Sequence, residues 1–118
     1  PTKQLSTAMT TTFNDNLKRG LDGVAGVIYF DDYARAQAIS ANPSAFGYSN
    51  ATATACGPDA FSMPGDTVGS SIICTARNLV PGDTSKYFFA DNVHPTPFAA
   101  QGAAAFTVDL MRKSGLNF

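Results

Sequence analysis

Hydrophobic positions recur every four residues near the start of the chain, with polar side chains between them. The apolar positions of this segment are Leu5, Met9, Phe13 and Leu17. Because this spacing places side chains on one face of a helix of about 3.6 residues per turn, residues 3–20 are predicted to form an amphipathic helix. Lys18 and Arg19 lie in its last turn and Gly20 follows, as expected where a helix ends.

Capping residues mark two further helices. The second is predicted to begin at Asp31 or Asp32, either of which can accept a hydrogen bond from its first turn, and to end before Pro43. The third is predicted to begin with Thr96 as its cap and Pro97 at its first position, followed by apolar residues at helical spacing.

Two apolar runs rich in β-branched and aromatic side chains read as strands. These are residues 23–30, with the sequence GVAGVIYF, and residues 86–90, with the sequence KYFFA. Neither run alternates cleanly, which is typical of strands that are covered on both faces in a parallel sheet. Between them, residues 44–85 are predicted to form a long loop rich in turns, with a short strand at residues 70–76.

The order of these elements predicts an α/β fold with a parallel sheet, because helices alternate with strands. Two strands alone cannot bury both of their faces, and a doubly wound sheet usually has four or more. We therefore expect residues 1–118 to form the C-terminal segment of one larger α/β domain that residues outside this chain complete. The alternative is a small α+β domain that completes itself by forming an oligomer.

Composition and charge narrow the possible partners. The chain has 118 residues, of which 44% are hydrophobic and 14% are charged, and its net charge is −1. This is the composition of one globular domain. No basic cluster stands out, so no nucleic-acid partner is expected, and no long apolar run predicts a transmembrane segment. Pro1 leads directly into a helix-like stretch without a signal peptide, which predicts either a cytosolic chain or a mature or cut product.

Two cysteines, Cys56 and Cys74, lie in the long loop. Without further cysteines or a histidine cluster they do not make a zinc site, so the alternatives are a disulfide or two unrelated thiols. The loop context favours the disulfide, which would restrain this long connection. A low charge with abundant Ala, Thr, Ser, Gly and Asn is also typical of many secreted bacterial proteins.

The turn after the second predicted strand has the sequence DNVHP and carries Asp91 and the single histidine of the chain, His94. In open α/β sheets, functional groups gather after the carboxyl ends of strands. A carboxylate three residues before a histidine can bind its Nδ1–H and leave Nε2 free as a base, which is two thirds of a nucleophilic triad. The alternative is that His94 only closes the turn. No serine in the chain has a local signature that marks a nucleophile.

The sequence FFADNVHPTPFAAQGAAAF, residues 88–106, resembles the last block of the SGNH (GDSL) hydrolases, in which Asp-x-x-His-Pro follows the final strand and precedes the last helix. Residues 26–58 resemble the segment upstream of that block in secreted bacterial GDSL esterases and lipases. Their shared features are a strand, a short helix, an NPxxFGY-like turn and a loop that contains a cysteine.

This resemblance implies a flavodoxin-like, three-layer α/β/α fold and a serine hydrolase of carboxylic or lipid acyl esters that needs no cofactor or metal. It assigns Asp91 as the triad aspartate and His94 as the general base. The family's nucleophile lies in an N-terminal Gly-Asp-Ser block that this chain lacks. An N-terminal fragment of the same protein is therefore the expected partner, and the chain alone is not expected to be active.

The resemblance further implies a secreted or periplasmic location in a bacterium. It does not decide between hydrolase and acyltransferase, which share the triad. A non-catalytic interaction or regulatory α/β domain is the alternative function.

Overall fold

The computed structural model describes residues 2–116; Pro1, where the predicted cut would fall, lies outside the described residues. The helices are α1 (Thr2–Leu21), α2 (Asp32–Ala41) and α3 (Pro97–Lys113), and the strands are β1 (Asn50–Thr54) and β2 (Tyr87–Phe89). Short 3₁₀ helices are formed by Pro43–Phe46 and Ser71–Ile73.

The two strands pair in parallel, so the structure has the predicted α/β architecture with a parallel sheet. Asn50 lies opposite Tyr87 and Thr54 opposite Phe89, with an irregularity in register between these pairs. A parallel pair requires a long crossover connection. Here residues 55–86 make that connection, and they carry the 3₁₀ helix Ser71–Ile73 and no α-helix.

The predicted helix starts are confirmed by their capping hydrogen bonds. Asp31 is the cap of α2, because its Oδ1 accepts from the Ala34 N–H at 2.9 Å. Thr96 caps α3 in the same way, since its Oγ1 accepts from the Ala99 N–H at 3.1 Å. Such caps satisfy backbone donors that the first turn of a helix leaves unpaired.

The prediction of a strand at residues 23–30 is wrong. This segment contains turns and no regular secondary structure, and it pairs with no strand within residues 2–116. Gly23 and Gly26 adopt positive φ angles of 73° and 78°, which bend the backbone out of the extended conformation. The side chain of Phe30 still packs, against Phe106, with ring centroids 5.3 Å apart.

The prediction of a strand at residues 70–76 is also wrong, because Ser71–Ile73 form a 3₁₀ helix that Ser70 caps. The strand β1 lies instead at Asn50–Thr54, inside the region predicted as loop. Its sequence, NATAT, is rich in alanine and begins with asparagine, two residue types that are depleted in strands. The pattern therefore gave no strand signal there.

The core forms where α2, α3 and the sheet meet. Its buried members are Ile39, Tyr48, Ala51 and Ala99. Phe88 and Phe98 pack against them, and each contacts the Tyr48 ring edge-on at a centroid distance of 5.3 Å. Edge-on pairs of aromatic rings are favourable beyond the area that they bury. This cluster fixes α3 against β2 and so fixes the turn that joins them.

The apolar face of α1 does not reach this core. Leu5, Met9 and Phe13 are 61%, 64% and 66% exposed. None of the helices in residues 2–116 has both the length and the apolar character needed to span a lipid bilayer. Exposed apolar side chains aligned along one helix face indicate a contact surface.

The predicted disulfide is present. Cys56 and Cys74 are bonded, with their Cα atoms 5.9 Å apart and a sequence separation of 18. Closing a loop of this size restricts the unfolded chain and contributes about 3 kcal/mol in the loop-entropy model.

The core analysis predicts unequal effects for two isoleucines. Ile39 is fully buried, so we expect Ile39→Ala to lower the free energy of unfolding by about 2–4 kcal/mol through lost burial and the cavity left behind. Ile72 is 84% exposed, and the matched variant Ile72→Ala should change it by less than about 0.5 kcal/mol. Urea denaturation of both variants measures the difference; equal effects would contradict the assignment of Ile39 to the core.

Candidate active site

The candidate site lies in the turn between β2 and α3. The chain reverses there, since the Ala90 N–H donates to the His94 carbonyl at 2.8 Å and the Thr96 N–H donates to the Phe88 carbonyl at 2.9 Å. The Thr96 hydroxyl also donates to the Tyr87 carbonyl at 2.5 Å. Thr96 therefore connects the end of the turn to β2 and also caps α3. Residues 90–95, which form the turn, are held at the carboxyl end of the strand as a result.

Asp91 lies at the centre of this turn and is only 7% exposed. Its Oδ1 accepts from the N–H groups of Val93 and His94 at 2.8 and 2.7 Å. Its Oδ2 accepts from the N–H of Ser71, which lies 20 positions earlier in the chain, at 2.8 Å. Three backbone donors thus surround a nearly buried carboxylate.

These contacts keep Asp91 ionised. Burial raises the pKa of the carboxyl group, but the hydrogen bonds from His94, Ser71 and Val93 outweigh it and hold the pKa far below its ordinary value of 3.8. At neutral pH the carboxylate therefore carries a negative charge and has no proton to donate.

The ring of His94 lies against this carboxylate, with Nδ1 at 3.0 Å from Oδ1 and 2.9 Å from Oδ2 of Asp91. An ionised carboxylate only accepts hydrogen bonds, so Nδ1 must carry the proton that they share. In a neutral ring the proton-free nitrogen is then Nε2. The His94 side chain is 54% exposed.

This arrangement holds a histidine base in one tautomer with a carboxylate ready to stabilise its protonated form. The structure thus brings together the two residues that the DNVHP spacing singled out, while their catalytic role stays a prediction. Among the hydrogen bonds of residues 2–116, none joins a serine hydroxyl to His94. The described part of the chain thus contains a hydrogen-bonded histidine and aspartate without a serine hydroxyl bonded to them.

Sequence reasoning missed the backbone amide of Ser71. Every residue except proline carries an N–H group, so no side-chain pattern marks the one that binds Asp91. The predicted Cys56–Cys74 disulfide was the one sequence feature that indicated this contact. It holds the segment that contains Ser71 near Cys56, whose N–H binds the Ala90 carbonyl at the end of β2.

The aromatic and methionine residues of the long loop do not line a common pocket. Tyr48 belongs to the domain core, whereas Phe46, Phe61 and Met63 are 46%, 82% and 74% exposed. These four side chains therefore form no common core within the loop.

An open, mostly apolar cleft of about 640 Å³ lies beside the turn instead. Among the residues that line it are Cys56, Ser71, Cys74, Leu79, Pro95 and Phe98. No group of three or more His, Cys, Asp or Glu side chains in residues 2–116 is placed to hold a metal ion.

Comparison with known proteins gives one informative similarity. A GDSL esterase/lipase of Arabidopsis thaliana is 30% identical to this chain over 96 residues. The match covers 80% of this chain but 23% of the plant protein, so the chain spans less than a quarter of that relative's length. No protein-family model and no solved structure matches the sequence.

The lowered pKa of Asp91 predicts how stability depends on pH. A carboxyl group with a lower pKa in the folded than in the unfolded chain stabilises the fold above the unfolded value, and the contribution is lost as the pH falls below about 4. We expect the wild type to lose about 1 kcal/mol more between pH 7 and pH 3 than Asp91→Asn.

Denaturant titrations across this pH range measure the effect. Asp109→Asn is the control, because it removes an exposed carboxylate of α3 that pairs with Lys113 at the surface. If the wild type and Asp91→Asn gave parallel curves, the ionised state of Asp91 would not stabilise the fold.

Proposed function

We propose that this chain is the C-terminal segment of a serine hydrolase that cleaves carboxylic esters, and that it supplies the histidine and aspartate of the catalytic triad. Asp91 is the orienting carboxylate and His94 is the general base. The nucleophilic serine and the oxyanion hole come from an N-terminal segment outside residues 1–118.

The observation that carries this proposal is the geometry of Asp91 and His94. A buried, ionised carboxylate binds Nδ1 at 2.9 Å and leaves Nε2 free on a side chain that is 54% exposed. A histidine that only closed the turn would need its backbone groups alone, and those already bind Ala90 and Asp91. The side-chain hydrogen bond is additional to what the turn requires.

In the proposed mechanism, Nε2 of His94 accepts the proton of the serine hydroxyl as the serine oxygen attacks the ester carbonyl carbon. Asp91 stabilises the imidazolium that forms. The tetrahedral intermediate collapses, the bond between carbon and alkoxide oxygen breaks, and His94 returns the proton to the leaving alcohol. Water, deprotonated by His94, then attacks the acyl-enzyme. The bond between the acyl carbon and the serine oxygen breaks, His94 returns the proton to the serine, and the carboxylic acid is released.

Three observations support an origin in a larger domain. The described sheet has two strands, and an apolar face of α1 is exposed. The chain also spans less than a quarter of the Arabidopsis relative that is named as a GDSL esterase/lipase. Further strands and helices would cover these surfaces, as layers of an α/β domain must.

The disulfide supports a location outside the reducing cytosol, because such bonds persist in oxidising compartments. We therefore propose a secreted or periplasmic enzyme that acts on carboxylic esters, including lipid acyl esters. The apolar lining of the cleft beside Pro95 suits a hydrophobic part of such a substrate or of the N-terminal segment.

Replacing the base tests this function directly. In the assembly with its N-terminal segment, we expect His94→Ala to lower kcat for p-nitrophenyl ester hydrolysis by about 10³-fold or more, since a triad base acts in the transition state. The exposed neighbour Asn92 offers a control in the same turn, and Asn92→Ala should stay within about threefold of the wild type. A loss below tenfold in His94→Ala would rule out the role as base.

The source of the nucleophile can be located separately. A fluorophosphonate probe reacts covalently with an activated serine, so we expect it to label the assembly at a serine outside residues 1–118 and to leave this chain alone unlabelled. Peptide mass spectrometry identifies the modified serine. Labelling of a serine within residues 1–118 would show that the chain carries its own nucleophile.

A further inference from the structure

A closed ring of contacts connects the disulfide to the carboxylate of Asp91. Asp91 Oδ2 accepts from the Ser71 N–H at 2.8 Å, and Cys74 directly follows the 3₁₀ helix Ser71–Ile73 as its C-cap. Cys74 is bonded to Cys56, whose N–H donates to the carbonyl of Ala90 at 2.8 Å. Ala90 directly precedes Asp91. The disulfide therefore fixes the distance between the Ser71 amide and the carboxylate that it binds.

A second carboxylate, that of Asp59, binds the backbone amide of Ser70, which is next to Ser71 in the sequence. Asp59 Oδ2 accepts from the Ser70 N–H at 2.7 Å, and its Oδ1 accepts from the Phe61 N–H at 2.8 Å. Asp59 and Asp91 thus bind two consecutive amides of one short segment. The hydrogen bonds from Ser70 and Phe61 also lower the pKa of Asp59 below 3.8, so it stays charged at neutral pH.

Close packing at Gly69 brings this segment into place. A Cβ atom on Gly69 would lie 2.2 Å from the carbonyl oxygen of Gly57 and 2.7 Å from Oδ2 of Asp59. The Gly69 N–H donates to the carbonyl of Cys56 at 3.2 Å. A side chain here would push the segment away from its neighbours, so glycine permits the approach.

We propose that Asp59 and the Cys56–Cys74 disulfide are positioning groups for Asp91, a role that rests on the proposed function of Asp91 and His94. They hold the Ser71 amide, and that amide fixes Oδ2 of the carboxylate.

The distribution of donors over the two carboxylate oxygens explains why the Ser71 amide matters. The amides of Val93 and His94 both bind Oδ1, which leaves Ser71 as the backbone donor to Oδ2. Without it, the carboxylate can rotate about its bond to Cβ. The hydrogen bond to Nδ1 then weakens, and the His94 ring loses both its orientation and its preferred tautomer.

Nuclear magnetic resonance of the His94 ring tests the proposal without any need for activity, because His94 is the single histidine in the sequence. The variants are Asp59→Ala and the double variant Cys56→Ala/Cys74→Ala. The control is Asp66→Ala, which removes a carboxylate of the same loop that accepts from the Met63 N–H at 2.6 Å.

Ring ¹⁵N shifts under conditions where the ring is neutral report the tautomer. We expect the proton on Nδ1 in the wild type and in Asp66→Ala, and a measurable shift of population towards Nε2–H in both positioning variants. In the active assembly, kcat of these variants should fall by about 10- to 100-fold with KM within about twofold, because a misplacement of about 1 Å can cost on the order of 10²-fold.

The outcomes separate this proposal from the function on which it rests. If His94→Ala abolishes turnover but Asp59→Ala keeps the wild-type ring signals and kcat, the positioning role is overturned and the catalytic role stands. If His94→Ala leaves turnover unchanged, the proposed function itself fails. Dispersed amide signals check that each variant is folded, and should the double cysteine variant unfold, Asp59→Ala decides alone.

Discussion

One nearly buried negative charge organises the described structure around the turn between β2 and α3. The carboxylate of Asp91 accepts three backbone N–H groups, two from its own turn and one from Ser71 in the distant loop. A buried charge is costly unless it is fully hydrogen-bonded, so the turn and the loop must both be in place for it to be stable. The same carboxylate therefore binds its own turn and the loop that contains Ser71. Because both must be folded to satisfy it, the folding of the loop depends on that of the turn after β2.

The structural and chemical properties of Asp91 have one cause. Backbone donors that stabilise its charged form also make it purely an acceptor, which determines the nitrogen of His94 that carries a proton. The protonated nitrogen of His94 is thus determined by interactions that the fold needs in any case. Thr96 contributes in a similar way, since one side chain both caps α3 and fastens the turn to β2.

Features that depend on neighbouring residues were predictable from the sequence, and features that depend on distant ones were not. Asp31 and Thr96 mark helix starts because a cap acts within one turn, and Asp91 and His94 are close enough in sequence to meet in any tight turn. The run at residues 23–30 has strand-like side chains, yet positive φ angles at its glycines prevent the extended conformation. The contact between Ser71 and Asp91 depends on how the whole loop folds, which no local pattern records.

The position of the disulfide also affects the route by which the chain folds. β1 and β2 pair in parallel only after the ends of residues 55–86 come together, and closing a long loop costs entropy before any pairing is gained. The bond between Cys56 and Cys74 removes residues 57–73 from the path that must be closed. Oxidation before strand pairing therefore brings the two strands closer together in the unfolded chain. A cell compartment that forms disulfides early would thus accelerate folding of this segment as well as stabilise its product.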